Sequence, residues 1–202
     1  MTMIFAKLAR MPIAGPILRI VNTYVYQGDV KADNEFAPAL LWFRVYSIPI
    51  LVSAALTLLC SATLQAQAYE LLGLSEWVCV KEIKDPRPIA LAIFPSLWGF
   101  GIGVYALIFA LSKTLIQEFQ KSIAEAKAKG LRSHGSVLMI NADLAYPILV
   151  LTISLGFFAF VQQSNGAYVI EISWMVFWYT MITIIELIHT LFSLGENELL
   201  HR

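Results

Sequence analysis

The chain has 202 residues, a formal net charge of zero and two cysteines; 58% of its residues are hydrophobic and only 14% are charged. A mean hydropathy of +0.70 is too high for a soluble domain of this length. A neutral chain also gives no electrostatic reason to expect nucleic acid as a partner. The composition therefore predicts an integral membrane protein, with the lipid bilayer as its solvent.

Residues 1–36 form an N-terminal arm that precedes the first long apolar run. Lys7 and Arg10 are followed by two prolines and by Arg19, a pattern that does not fit a cleaved secretory signal. Apolar residues recur along one side of residues 16–26, which predicts a short amphipathic helix in the headgroup region, with Lys7, Arg10 and Arg19 at the membrane surface. The alternative for this helix is a re-entrant or gating segment.

Residues 37–202 contain four apolar runs, each of which meets the ~20 residues needed to cross about 30 Å of hydrocarbon. The sequence therefore predicts an all-α integral membrane protein built as a bundle of four transmembrane helices. The predicted spans are residues 38–64, 89–112, 137–161 and 167–194, with an outer loop at 65–88 and a second loop at 113–136.

Lysine and arginine are unevenly distributed between the loops. Four lie in the N-terminal arm and five in the second loop, against three in the outer loop and none in the turn at 162–166. Because positively charged loops stay in the cytoplasm, both termini and the second loop are predicted to be cytoplasmic. The sequence has no Asn-x-Ser/Thr acceptor, which is compatible with the inner (plasma) membrane of a bacterium.

The helical period of the second span continues past Lys113 to Gly130, which supplies a stop signal. Counted from residue 89, this predicts a helix of about 40 residues and about 60 Å, half of it projecting into the cytoplasm. The projecting part is a candidate docking surface for a soluble protein; the alternative is packing against the chain's own arm. The candidate docking residues are Phe119, Lys121, Glu125, Lys127, Lys129 and Arg132.

Small residues follow one another three or four positions apart along the second span, at Gly99, Gly103, Ala106 and Ala110. Such a strip lets another helix approach closely, and close packing is a major source of helix association in lipid. The strip predicts either packing within the bundle or a seam between subunits of a homo-oligomer.

The two cysteines are both on the side assigned to the oxidising compartment, with Cys60 near the outer end of the first span and Cys79 in the outer loop. A disulfide between them would close a loop of about 20 residues and contribute about 3 kcal/mol by the chain-entropy estimate. The alternative is two unrelated apolar cysteines.

Ionisable residues inside the hydrocarbon are costly and mark functional sites. Four of them fall in the inner leaflet: Arg44, Asp143, Glu186 and His189. Glu186 and His189 are three positions apart and share a helix face, which we expect to point into the bundle. The first interpretation is an internal ion pair with Arg44 as the cation. The alternatives are proton or cation movement, and binding of an anionic lipid or small ligand.

No nucleotide-binding, zinc-protease, redox or hydrolase motif occurs in the sequence. Glu186 and His189 supply only two ligands, too few for a metal site, and one histidine within the spans does not indicate haem. We therefore expect no catalytic residue, no metal and no cofactor.

These features predict a non-enzymatic multi-pass subunit that self-assembles and anchors or signals to a soluble cytoplasmic partner. Four spans, cytoplasmic termini and a projecting inner helix resemble the layout of accessory membrane subunits in multi-component bacterial systems such as anti-phage defence, which implies a role as a membrane sensor. The alternative is an oligomeric ion channel or a proton- or cation-coupled transporter that uses the intramembrane ionisable residues. Conduction would need several subunits, since four spans leave little room for a pore.

Overall fold

The computed structural model describes residues 5, 7–61, 85–106, 113–130, 136, 138–166 and 168–200. Every regular element within these ranges is a helix. The α-helices are α1 (Ala14–Val25), α2 (Ala39–Cys60), α3 (Pro86–Ala106), α4 (Lys113–Ala128), α5 (Leu138–Val161) and α6 (Val169–Leu200), and a short 3-10 helix covers Val30–Asp33.

Four of these helices are long and apolar enough to cross a membrane: α2, α3, α5 and residues Val169–Glu196 of α6. The prediction of an all-α chain with four helices able to span a membrane is thereby confirmed. Large apolar side chains on the outside of these helices are exposed, among them Phe43, Phe160 and Phe192. Lipid tails are as apolar as leucine, so a bilayer accepts this surface without cost.

The predicted spans agree closely with α2 and α5, but α3 begins earlier and α6 ends later than expected. Helix α3 starts at Pro86 because Asp85 accepts a hydrogen bond of 3.0 Å from Arg87 N, and proline needs no partner at the first helical position. Helix α6 continues to Leu200, past the end of the apolar run on which the prediction was based. Most of the outer loop, and the join between α3 and α4, lie outside the described residues.

The core of the bundle lies between α3, α5 and α6, which pack against one another. The buried ring of Phe94 stacks on Phe177 with 5.5 Å between centroids and meets Phe158 edge-on at 5.6 Å. Gly101 lets α5 approach α3, since a Cβ at Gly101 would lie 3.2 Å from Cγ1 of Ile148. Helix α2 packs against α6, and α1 packs against α5.

Several hydroxyl side chains buried in the bundle are paired. Ser154 of α5 and Thr180 of α6 form a hydrogen bond of 2.7 Å between helices. Ser53 and Thr57 each donate a 2.7 Å bond to a carbonyl one turn earlier in α2. An unpaired polar group in hydrocarbon costs several kcal/mol, so these pairings allow small polar residues to pack inside the membrane.

The N-terminal arm folds back on itself around one buried side chain, Asn22. The amide nitrogen of Asn22 donates to the carbonyl oxygens of Ala32 and Glu35, both at 2.8 Å, and its amide oxygen accepts from Ala37 N at 2.9 Å. Three of the four hydrogen bonds that the amide can make are thus formed. One side chain thereby ties α1 to the segment that leads into α2.

Candidate functional site

Tyrosine and carboxylate side chains meet where α1, α2, α5 and α6 converge, at the end of the bundle where the arm lies. Tyr46 and Tyr146 lie about 10–12 Å along the axis from the first residues of α2 and α5. We call this group the tyrosine–carboxylate cluster. Its members are Tyr24, Tyr46, Asp143, Tyr146, Tyr179 and Glu186.

Tyr24 joins the arm to the cluster. Its hydroxyl donates a hydrogen bond of 2.9 Å to Oε2 of Glu186, a residue 162 positions away. Its ring stacks on Tyr146, with centroids 4.0 Å apart and planes 9° from parallel. A hydrogen bond to a charged group contributes about 1.5–3 kcal/mol and an aromatic pair about 0.5–1.5 kcal/mol. One side chain of the arm therefore makes both a polar and an aromatic contact with the spans.

The hydroxyl of Tyr24 is a permanent donor at physiological pH. Burial raises the pKa of Tyr24 above its usual value. The negative charge of Glu186, the hydrogen bond between Tyr24 and Glu186, and the charge of Asp143 raise the pKa of Tyr24 further. A phenol held protonated in this way gives the half-buried carboxylate of Glu186 a partner for as long as the arm is docked.

Two further tyrosines extend the cluster between the spans. The hydroxyl groups of Tyr146 and Tyr179 share a hydrogen bond between α5 and α6. The ring centroid of Tyr46 lies 6.4 Å from that of Tyr24 and 6.1 Å from that of Tyr146. The Tyr46 hydroxyl is buried, and its hydrogen-bonding neighbour among the described residues is Tyr146, at a geometry short of a regular hydrogen bond.

A second contact fixes the turn after α1 to the start of α5. Gly28 has φ +72°, and a Cβ at this position would lie 2.1 Å from the backbone nitrogen of Met139. Only glycine fits so close an approach with this φ. The hydroxyl of Ser136 donates to the Gly28 carbonyl and accepts a 3.1 Å bond from Leu138 N. Ser136 therefore caps the start of α5 and holds the arm with the same hydroxyl.

Of the four predicted intramembrane residues, the structure brings two into the cluster and leaves two outside it. Glu186 and Asp143 belong to the cluster, whereas Arg44 and His189 are exposed. Among the described residues no salt bridge joins Arg44 to either carboxylate. The reason is helical geometry: Arg44 and Tyr46 are two positions apart and point to nearly opposite sides of α2, and Tyr46 faces the cluster.

The tyrosines are functional candidates that were not predicted from the sequence, although the sequence contains a signal for them. Tyr179 lies two turns before Glu186, and Tyr146 lies one turn after Asp143, so each shares a helix face with a carboxylate. A tyrosine inside an apolar span needs a partner for its hydroxyl, which makes such a shared face informative.

The strip of small residues on α3 faces outward. Gly99, Gly103 and Ala106 are exposed, and a Cβ at either glycine would have no neighbour within 4 Å. Ala110 lies outside the described residues. Close packing of α3 within the bundle uses Gly101 instead, so the seam between subunits stays a prediction.

Helix α4 makes at most marginal contact with the other described helices. Lys121, Glu125 and Lys129 are exposed. The side chains of Phe119 and Lys127, and all of Arg132, lie outside the described residues. The described residues thus give no extensive packing of α4 on the arm, and docking of a soluble partner there stays a prediction.

The remaining predicted residues lie away from the cluster. Lys7, Arg10 and Arg19 are exposed on the arm, as a role at the membrane surface requires. Cys60 ends α2 and forms no disulfide with another described residue, while Cys79 lies outside the described residues, so the disulfide between them stays a prediction.

A charged clasp, formed by Asp85 and Arg87, closes the opposite end of the bundle and was not expected. Arg87 is only 9% exposed; its guanidinium pairs with Asp85 at 2.8 Å and donates 2.7 Å bonds to the carbonyl oxygens of Val161 and Ser164. Helix ends leave such carbonyls unpaired and negatively polarised. Burial alone would raise the pKa of Asp85, but the hydrogen bonds and charge of Arg87 outweigh it and lower that pKa. The clasp ties α3 to the end of α5.

The tyrosine–carboxylate cluster contains two kinds of chemical group: phenol hydroxyls, which donate hydrogen bonds, and carboxylates, which accept them. Among the described residues, no three histidine, cysteine or acidic side chains are grouped so that they could hold a metal ion. Comparison of the chain with models of known protein families, with curated proteins and with solved structures finds no match.

Proposed function

We propose that this chain is a non-enzymatic multi-pass membrane subunit that self-assembles and signals to a soluble cytoplasmic partner. The observation that carries the proposal is the 2.9 Å hydrogen bond from Tyr24 to Glu186, which ties the N-terminal arm to a carboxylate on one of the four long apolar helices. A membrane sensor needs a connection of this kind, because a change among the spans must reach the aqueous side. The proposed setting is a multi-component bacterial system such as anti-phage defence.

In this proposal the arm end of the bundle faces the cytoplasm of a bacterium. The arm and the second loop together carry nine basic residues, against three in the outer loop, and basic loops remain on the cytoplasmic side of the inner membrane. Both termini, the tyrosine–carboxylate cluster and α4 then lie toward the cytoplasm. The clasp of Asp85 and Arg87 lies at the outer face.

The signalling mechanism rests on two arrangements of the arm. In the docked arrangement Tyr24 donates to Glu186 and stacks on Tyr146. A shift of α6, or a proton gained by Glu186, weakens that bond and releases the arm. Losing about 1.5–3 kcal/mol changes the ratio of docked to undocked arm by about 10- to 150-fold. The Tyr46 hydroxyl supports a second arrangement, since it lies in the same cluster and makes no hydrogen bond of regular geometry with the described residues.

Helix α4 is the proposed docking element for the soluble partner. It alternates apolar residues such as Ile116 and Ile123 with exposed charged residues such as Lys121 and Glu125, as an amphipathic helix does. Its marginal contact with the other described helices leaves this helix available. A partner that binds such a helix in a groove would contact the apolar residues along one side of the helix.

Self-assembly is proposed to use the outward strip on α3. The open space around Gly99 and Gly103 supports close approach of a helix from another subunit. A homo-oligomer would bring several arms and several copies of α4 to one face, where a multivalent partner gains affinity from engaging more than one copy.

Native mass spectrometry of the complex, extracted gently from its native membrane, tests the proposal by counting copies and identifying companions. A photo-crosslinking amino acid at Lys121 of α4 identifies a docked protein, and the matched control carries it at Ile153, which is exposed on α5. We expect a homo-oligomer with a soluble protein crosslinked from position 121 and not from 153. A strictly monomeric chain without a crosslinked protein would refute the proposal.

Conduction of protons or cations by an oligomer is a second candidate function. It is favoured by the half-buried carboxylate of Glu186, which accepts from Tyr24 beside the hydrogen-bonded hydroxyls of Tyr146 and Tyr179. Chains of such groups carry protons in membrane proteins. Proton flux into vesicles reconstituted with the purified chain tests this function. Flux that survives both Glu186→Gln and Asp143→Asn would remove these residues from any pathway.

A further inference from the structure

A narrow apolar groove runs along the outside of the bundle between α1, α3 and α5, with a volume of about 290 Å³. Four of its six lining residues come from one stripe of α5 that extends over about 10 Å of helix. One residue comes from α1 and one from α3. The lining residues are Ile20, Tyr105, Ala145, Ile148, Leu149 and Thr152.

The polar atoms in the lining are engaged within the protein. The hydroxyl of Tyr105 donates a 2.9 Å bond to Asn141. The hydroxyl of Thr152 donates a 2.8 Å bond to the Ile148 carbonyl and accepts a 2.9 Å bond from Nε1 of Trp98. The other lining side chains are aliphatic. The groove therefore suits an apolar chain and offers little to a polar ligand.

Basic residues lie on the arm helix that borders the groove. Helix α1 borders the groove through Ile20, and the preceding residue, Arg19, is exposed. Residues 5–28 contain three basic side chains and no acidic one. From Ala145 to Thr152 the stripe on α5 runs away from the start of that helix, toward the middle of the bilayer. An occupant that fits both features has a negative head at the level of α1 and an apolar tail along α5.

We propose that this groove binds one acyl chain of an anionic phospholipid whose phosphate meets Arg19. The chain lies against Ile148 and Leu149, and the headgroup lies beside α1. A neutral phospholipid fills the groove equally well but lacks the net charge that Arg19 attracts, and free phosphate lacks the tail. The inference needs only the membrane location of the chain and does not rest on the proposed signalling role.

The test is titration of the delipidated full-length chain in mild detergent with dioleoyl phosphatidylglycerol or dioleoyl phosphatidylcholine, counting bound lipids by native mass spectrometry. We expect one tightly bound phosphatidylglycerol, preferred about fivefold over phosphatidylcholine, the effect of one basic residue near the headgroup. Arg19→Gln removes that preference and leaves binding of the chain. Arg10→Gln, a change of another exposed arginine of the arm, retains it.

Filling the groove gives the second half of the test. Ala145→Leu occupies the groove and lowers binding of both lipids at least about tenfold, a loss of about 1.4 kcal/mol. Ala159→Leu makes the same change on an exposed face of α5 and leaves binding intact. Equal affinity of the wild type for the two lipids, or equal binding by the two leucine variants, overturns the proposal. Should Ala145→Leu fail to purify, Arg19→Gln decides alone, because the Arg19 side chain is exposed.

Discussion

Tyr24→Phe tests the link between the arm and the spans most directly, because it removes one oxygen and keeps the ring that stacks on Tyr146. The lost hydrogen bond leaves the half-buried carboxylate of Glu186 without this donor. A hydrogen bond to a charged group contributes about 1.5–3 kcal/mol, so the undocked fraction of the arm should rise about 10- to 150-fold. The spans themselves lose no contact and should keep their stability.

Hydrogen–deuterium exchange of the α1 amides in lipid nanodiscs measures this fraction, since those amides exchange when the arm opens. Tyr105→Phe is the matched control: it also removes a hydroxyl that donates a 2.9 Å bond, but the acceptor is the neutral and exposed Asn141. Its effect on α1 should be small. Glu186→Gln keeps an acceptor oxygen for Tyr24 and should open the arm less than Tyr24→Phe does.

Equal exchange rates in α1 for Tyr24→Phe and Tyr105→Phe would refute the reasoning, because the bond to Glu186 would then contribute nothing to docking. The double variant Tyr24→Phe/Glu186→Gln measures the interaction between the two residues apart from the contacts that each makes with other residues. Its effect should fall short of the sum of the two single effects by about 1 kcal/mol or more, as expected for residues in direct contact.

Four further predictions concern the other contacts. Gly28→Ala should release the arm, because a Cβ at this position meets the Met139 backbone and a left-handed φ costs a non-glycine residue about 1–2 kcal/mol. Limited proteolysis detects release of the arm, and cleavage at the wild-type rate would contradict this prediction. Asn22→Ala leaves two buried backbone groups and one part-buried carbonyl without their partner, at about 1–3 kcal/mol for each buried group, so the arm should lose its exchange protection while the spans keep theirs. Arg87→Met should lower thermal stability by about 2 kcal/mol at pH 7. The pKa of Asp85 is lowered in the folded state, so Asp85→Asn should destabilise the chain above about pH 4. The difference in stability between this variant and wild type should shrink as the pH falls through the lowered pKa. A difference that stays constant with pH would contradict this prediction.

The spans could be predicted from sequence because the length of an apolar run is a property of the run alone. Helices α2 and α5 agree with the prediction to within a few residues for this reason. The start of α3 could not be read in the same way, since it depends on a polar cap, Asp85, outside the apolar run. Arg87 looked like a loop residue because its partners, the carbonyls at the end of α5, are more than 70 positions away.

The site was harder to predict. The helical period of the sequence shows which residues lie on the same face of a helix, but it does not show toward which neighbouring helix that face points. Glu186 was expected to point inward with a partner, and it does accept a hydrogen bond inside the bundle. The expected partner was Arg44, chosen because opposite charges attract, but the rotation of α2 turns Tyr46 toward the cluster and Arg44 away from it. The actual partner, Tyr24, lies in the arm, whose return to the bundle depends on Gly28 and Asn22.

The bond between Tyr24 and Glu186 also fixes the order in which this chain matures. Tyr24 leaves the ribosome 162 residues before Glu186 does, an interval of about 8–30 s at the usual rate of synthesis. During that time Tyr24 lacks the Glu186 carboxylate to which it donates, and α2 lacks α6, the helix it packs against. Docking of the arm is therefore a late event in biogenesis, and a chain whose last span is missing or misinserted would display a loose arm. An undocked arm thus marks an incompletely assembled molecule.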